Sequence, residues 1–159
     1  MEKPKVVSLF SGCGGLDLGF IDAGFEVVLA IDIWQTALDT CKLNHPNLQT
    51  ICKSVADFSN EEVLQLKLNL PKINVICGGP PCQGFSLAGK RNAFDPRNQL
   101  WQDYFRFVEL FNPDYFVMEN VFGMTSMLDE NGNKIIDQVV VKIQELGYKF
   151  TLNKLFYGR

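Results

Sequence analysis

Short apolar runs alternate with helical segments along the whole chain, and this alternation restricts the fold more than any other feature. Lys5–Phe10 is a short apolar strand that ends in a glycine cluster. Leu16–Ala23 reads as a helix closed by Gly24. Val27–Ile31 is a second strand, apolar throughout and so expected to be buried on both faces. Trp34–Leu43 is helical and stops at Asn44-His45-Pro46, and Leu48–Cys52 is a weak third strand. Ser59 and Glu62 form a capping-box pair that opens another helix. Ile73–Cys77 is the fourth strand, followed by a polar, glycine-rich loop from Gly78 to about Asn98. Gln99–Phe111 is a strongly aromatic helix, Tyr115–Met118 a fifth strand, and Ile135–Leu146 an amphipathic helix ending at Gly147. Tyr148–Tyr157 reads as one more strand. Strands alternating with helices predict an α/β fold: a doubly wound, mostly parallel sheet with right-handed crossovers. In such sheets ligands bind at the carboxyl ends of the strands.

Composition removes several function classes. The 159 residues suit one domain with its own core. No apolar run reaches membrane-spanning length, and the N-terminus lacks a signal-peptide core, so a cytoplasmic location is expected. The five cysteines (Cys13, Cys41, Cys52, Cys77, Cys82) are odd in number and contain no C-x-x-C pair. That argues against a disulfide framework and against zinc, and no metal is expected. A formal net charge of −3 gives no support for nucleic-acid binding by the stretch as a whole. Lys90, Arg91 and Arg97 form one local basic cluster, which ordinary solvated loop charges would also explain.

Four motifs fall at predicted strand ends. Phe10-Ser11-Gly12-Cys13-Gly14-Gly15-Leu16 follows the first strand, and its glycines suit either a tight structural turn or close approach to a ligand. It is not the dinucleotide fingerprint, because Asp17 stands where the third glycine would be, and no Walker lysine follows. NAD and ATP are therefore disfavoured. Asp32 ends the second strand, 20 residues after Gly12, where an acid serves either ribose hydroxyls or the N-cap of the next helix. Gly78-Gly79-Pro80-Pro81-Cys82-Gln83-Gly84-Phe85-Ser86 sets a cysteine behind two prolines, which stiffen the backbone into it. Cys82 is either an aimed sulfur nucleophile or a small core hydrophobe in a Gly/Pro turn. Met118-Glu119-Asn120-Val121 closes the fifth strand, and Glu119 is either a capping acid or a carboxyl poised for proton transfer. The single histidine, His45, sits in an Asn-His-Pro turn and is poorly placed for a Cys–His pair.

Together these pieces resemble the DNA (cytosine-5)-methyltransferase family. The resemblance rests on Leu9–Gly15, Gly79–Ser86, Asp95-Pro96-Arg97-Asn98-Gln99-Leu100 and Glu119-Asn120-Val121, in matching order, and spans nearly the whole chain. It implies the Rossmann-like sheet of S-adenosylmethionine-dependent methyltransferases, with that cofactor across the strand ends. Phe10, Ser11, Gly12, Gly14, Gly15 and Leu16 would wrap its methionine part. Asp32 would take the ribose hydroxyls, Ile33 would pack on the adenine ring, and Pro80 and Leu100 would complete the wall. Cys82 would attack C6 of a cytosine flipped out of the DNA stack, making C5 nucleophilic toward the sulfonium methyl. Glu119 would protonate or hydrogen-bond cytosine N3, and Asn120 would support the cysteine loop. Gln83, Ser86, Lys90 and Arg91 belong to the loop expected to close over the substrate. Double-stranded DNA is the implied partner and a bacterial restriction–modification system the implied setting. A transfer RNA cytosine is the alternative substrate, and a non-catalytic cofactor-binding protein a rival of another class.

Two departures from the family pattern stand out. Where the family has an acid that contacts the adenine amino group, this chain has Ser54 followed by Val55. The family also continues with a Gln-x-Arg-x-Arg motif and a target-recognition domain beyond the position of Arg159. Residues 1–159 are thus expected to be the N-terminal cofactor-binding and catalytic part, truncated before target recognition and inactive alone. A fragment is favoured over the N-terminal subunit of a split enzyme with a C-terminal partner chain.

Overall fold

The computed structural model describes residues 2–81, 99–129 and 131–155. They fall into two compact units, one of residues 2–81 and 99–119, the other of residues 120–129 and 131–155.

The larger unit is a parallel sheet of β1 (Lys5–Leu9), β2 (Glu26–Asp32), β3 (Gln49–Cys52), β4 (Val75–Gly78) and β5 (Tyr115–Met118). The spatial order is β3-β2-β1-β4-β5, and every pairing is parallel. The order reverses between β1 and β4, which is where a doubly wound sheet opens a ligand crevice. Helices α1 (Gly15–Asp22), α2 (Gln35–Asn44), α3 (Asn60–Asn69) and α4 (Leu100–Phe111) supply the crossovers. The expected α/β doubly wound class is what the chain adopts.

The central strands β2, β1 and β4 are apolar because both faces are covered, whereas β5 at the edge exposes Tyr115 and Val117. Val6, Val7, Leu9, Leu29, Ala30, Ile31, Ile76 and Cys77 are fully buried. On one face Val6, Val27, Ala30, Val75 and Cys77 pack with Leu38 and Cys41 of α2, and Leu16, Phe20, Ile21 and Phe25 add to the same cluster. A register shift between Val6 and Val7 lets β2 present both Val27 and Ala30 to that face. On the other face α4 buries Trp101, Tyr104, Phe105, Phe107, Val108 and Phe111. Tyr104 carries a polar tip into this layer and satisfies it by donating to Ile76 O at 3.1 Å. Phe105 and Phe116 of β5 meet edge to face at 5.5 Å.

The capping box is present: Glu62 N–H donates to Ser59 Oγ at 3.2 Å, and Ser59 N–H to Glu62 Oε2 at 2.8 Å. In the smaller unit, a short 3₁₀ segment (Phe122–Ser126) precedes α5 (Ile135–Glu145). Ile135, Val139 and Ile143 form the buried stripe of α5, and Met124 and Met127 are buried too. One expectation needs correction. Residues 148–155 form no strand, and Phe150, Leu152 and Leu155 are exposed; an alternating pattern gives strand preference, but only a neighbouring strand gives a ladder. Val55–Asp57 forms a 3₁₀ turn between β3 and α3.

Replacing Ser59 by Ala removes one half of the capping box and should cost about 1 kcal/mol of stability. The expected result is a lower urea midpoint with an unchanged slope. An unchanged midpoint would show that α3 is held by its packing alone.

Candidate functional site

The site is assembled from the carboxyl ends of β1, β2, β4 and β5. After Leu9 the chain turns sharply, with Phe10 in the left-handed region at φ 55°. A non-glycine residue there is strained and needs surroundings that hold it. Ser11 N–H donates to Ile31 O at 3.1 Å, hooking the turn to β2. Gly12 N–H donates to Asp32 Oδ2 at 2.8 Å. Gly14 then takes φ 88° as the N-cap of α1, and a Cβ there would lie 2.8 Å from Cys41 Sγ. Only glycine meets both conditions at that position.

Asp32 is the organising acid. One oxygen accepts from Gly12 and the other from Trp34 N–H at 2.8 Å. It is not the N-cap of α2, a position that Trp34 takes. It bridges the glycine loop to the entry of α2 instead. Each oxygen keeps a further lone pair for an outside donor. The next two side chains, Ile33 and Trp34, are 71% and 74% exposed. Lys53 N–H donates to Asp32 O at 3.0 Å, which brings Ser54 and Val55 to the same edge of the site. Val55 is buried, and none of the hydrogen bonds among the described residues involves Ser54 Oγ.

Several features suit a bound polar ligand. Ser11 Oγ is buried and has no hydrogen-bond partner among the described residues. A hydroxyl left in that state costs about 1–3 kcal/mol, which a ligand acceptor or donor would recover. A Cβ at Gly12 or Gly15 would meet no atom of the described residues within 4 Å. The polar groups here are backbone N–H donors, a hydroxyl that can donate or accept, and one accepting carboxylate, which suits a nucleoside with hydroxyl and amino-acid groups.

At the other strand ends, Glu119 N–H donates to Gly78 O at 2.9 Å. The exposed carboxylate of Glu119 lies over Gly79, where a Cβ would come within 2.8 Å of Oε2. Pro80 is buried, and Leu100, the first residue of α4, is half-buried. Asn120 begins the smaller unit, and its Oδ1 accepts from Val121 N–H at 2.8 Å. Cys82, Gln83, Ser86, Lys90 and Arg91 lie outside the described residues.

Two residues with structural leverage were not legible as site residues in the sequence. Asp17 is fully buried beneath the glycine loop, accepting from Ser8 Oγ, with Cys41 Sγ at 3.9 Å from its other oxygen. Burial pushes its carboxyl above the usual range, while Ser8, the charge of His45 and Cys41 pull the other way. Burial, and next the Asp17 charge, push the thiols of Cys41 and Cys77 up to about 11 and about 12, so both stay protonated. They are core thiols rather than nucleophiles. Arg106 on α4 is the second such residue. Its place in an aromatic helix was the one available signal.

The pattern extends to known proteins. Residues 4–156 match the family of C-5 cytosine-specific DNA methylases. The chain is 40% identical over 159 residues to the Type II methyltransferase M.DdeI of Desulfomicrobium norvegicum, covering 97% of this chain and 37% of the relative. It is 42% identical over 164 residues to the Type II methyltransferase M.XorII of Xanthomonas oryzae pv. oryzae, covering 99% and 38%. A crystal structure of an Escherichia coli prophage-encoded protein, described as a DNA modification methyltransferase, superposes with TM-score 0.74 and 35% identity, covering 90% of this chain and 38% of that one. The chain thus spans less than two-fifths of the length of these relatives.

The sign of the Asp17 perturbation gives a pH test. A raised carboxyl pKa means that the folded chain holds a proton which the unfolded chain gives up earlier. This contribution is complete below the ordinary carboxylate range and is lost as pH rises through the pKa that Asp17 has in the fold. Asp17→Asn should therefore gain on the unchanged chain as pH rises from about 4 to about 8, in urea unfolding at each pH. A stability difference independent of pH would show that Asp17 does not titrate in this range.

Proposed function

We propose, because the chain belongs to the C-5 cytosine-specific DNA methylase family, that it is the cofactor-binding and catalytic part of an enzyme that methylates C5 of cytosine in DNA. The observation that carries the cofactor reading is the buried, unpartnered Ser11 Oγ beside the Gly12–Asp32 hydrogen bond. Type II methyltransferase relatives support DNA as the substrate and restriction–modification as the setting.

S-adenosylmethionine, when bound, supplies an electrophilic methyl group on a sulfonium. The residues of this chain hold it and prepare the base. Phe10, Ser11, Gly12, Gly14, Gly15 and Leu16 take the amino-acid end, where backbone N–H groups at the start of α1 suit a carboxylate. Asp32 accepts from the ribose hydroxyls with its remaining lone pairs. Ile33, already exposed at the strand end, covers one face of the adenine, and Ser54 and Val55 meet its edge. Pro80 and Leu100 close the wall.

In the reaction, Cys82 gives its thiol proton to solvent or a base, and its sulfur forms a bond to C6 of the flipped cytosine. Glu119 delivers a proton to N3, so the electron pair displaced by sulfur accumulates at C5 without a full charge on the ring. With C5 carrying the methyl group that the cofactor would supply, its proton would leave to a base, the C6–sulfur bond would break to return the thiolate, and N3 would give its proton back to Glu119. Asn120 supports the loop that carries Cys82. Gln83, Ser86, Lys90 and Arg91 close over the base. The glycine at position 79 is what lets the Glu119 carboxylate lie against the backbone that leads to Cys82.

Titration with S-adenosylhomocysteine tests the cofactor reading. Ser11→Ala should weaken binding about five-fold, because one ligand hydrogen bond is lost, while leaving unliganded stability equal or higher, because an orphaned hydroxyl is removed. Absence of binding by the unchanged chain would overturn the reading. The covalent step is tested by trapping on duplex DNA containing 5-fluorocytosine. The chain, supplied with the polypeptide that its longer relatives carry beyond the matched region, should form an adduct that Cys82→Ser abolishes. An adduct that persists in that variant would reassign the nucleophile.

A further inference from the structure

We propose that Arg106 is a positioning residue for the adenosine half of S-adenosylmethionine, acting through the 3₁₀ turn Val55–Asp57; this rests on the cofactor reading above. Arg106 makes none of its hydrogen bonds to the glycine loop. Its guanidinium reaches from α4 to the segment that follows β3, donating to Val55 O at 3.0 Å and to Phe58 O at 2.7 Å. It also lies 3.4 Å from Asn60 Oδ1 and packs over the Phe107 ring at 5.7 Å. Asp103, one turn earlier on α4, accepts from it at 3.1 Å and balances its charge.

The consequence is a segment held at both ends. Lys53 N–H is fixed to Asp32 O, and the carbonyls of Val55 and Phe58 are fixed to Arg106. Ser54 and Val55 lie between these anchors. Because Ser54 Oγ has no hydrogen bond among the described residues, its position is set by the backbone that Arg106 restrains. The planar fork of arginine spans two carbonyls, Nη1 to Phe58 O and Nη2 to Val55 O, and Nη2 also donates to the Asp103 carboxylate. A lysine ammonium is a point donor on a flexible stem and cannot hold the same three groups in place. Leu100 stands at the head of the same helix, so one element carries part of the cofactor wall and the anchor of the adenine edge.

Calorimetric titration of the chain with two probes tests this. S-adenosylhomocysteine contains the adenosine and amino-acid parts, and 5′-methylthioadenosine the adenosine part alone. Arg106→Lys should weaken both by the same factor, about five-fold, since only the shared part feels the turn. A folded Arg106→Lys protein with unchanged affinity for both would overturn the proposal. So would a loss for S-adenosylhomocysteine much larger than for methylthioadenosine, which marks general loosening of the site. No binding of either probe to the unchanged chain would instead overturn the cofactor reading itself. Asp103→Asn keeps the guanidinium and removes its anionic partner, and it decides the matter if Arg106→Lys does not fold. A roughly two-fold loss shared equally by both probes supports the proposal, and no loss overturns it.

Discussion

The carboxylate of Asp32 is the interaction on which the rest of the site depends. A parallel sheet aligns strand ends but does not fix the loops that leave them. Here one acid at the end of β2 accepts from Gly12 of the neighbouring loop and from Trp34 of its own, each at 2.8 Å. Hydrogen bonds to an ionised acceptor are stronger than neutral ones. Ser11 N–H to Ile31 O adds a second tie between the same two segments. The exposure of Ile33 and Trp34 follows from this clamp, because it turns the chain out of the sheet before α2 begins.

The clamp works only on a rigid base. Both faces of the central strands β2, β1 and β4 are buried, and α4 contributes six buried side chains to one of them. That packing offsets local costs at the strand ends: the left-handed Phe10, the orphaned Ser11 hydroxyl and the buried Asp17 carboxyl. Each cost is of order 1–3 kcal/mol. Three such features within eight residues mark a segment shaped for something other than its own stability. Asp17 belongs with them because it lies beneath Gly14, so the loop rests on a carboxyl and a thiol rather than on hydrocarbon.

The sheet was legible because its signal is redundant. Five apolar runs, the helices between them and the Ser59–Glu62 capping pair all point to one architecture, and strand ends could be placed within about two residues. Asp32 was legible as a site residue because an acid after an apolar strand is unusual, although its bridging geometry was not. Asp17 was hidden because on a short helix it reads as an ordinary polar-face residue; only the packing of α1 against Ser8 and Cys41 buries it. Arg106 was hidden for a related reason. Its partners are backbone carbonyls 48 and 51 positions away, and carbonyls leave no mark in a sequence. The strand expected after Tyr148 failed because pairing is a property of two segments, not of one pattern.

The end of β4 shows how a site can be specified by missing side chains. A Cβ at Gly78 would collide with Leu9 O, and one at Gly79 would press on the Glu119 carboxylate. The first glycine lets β4 close on β1, where Gly78 pairs with Leu9. The second lets the acid of the adjacent strand lie over the backbone. Pro80 and Pro81 follow at once and remove two N–H groups together with most of the φ freedom. Close approach and stiffness therefore come from four consecutive residues, none of which brings a functional group. What they supply is a stiff backbone at the end of β4 that comes close enough for the Glu119 carboxylate to lie over it.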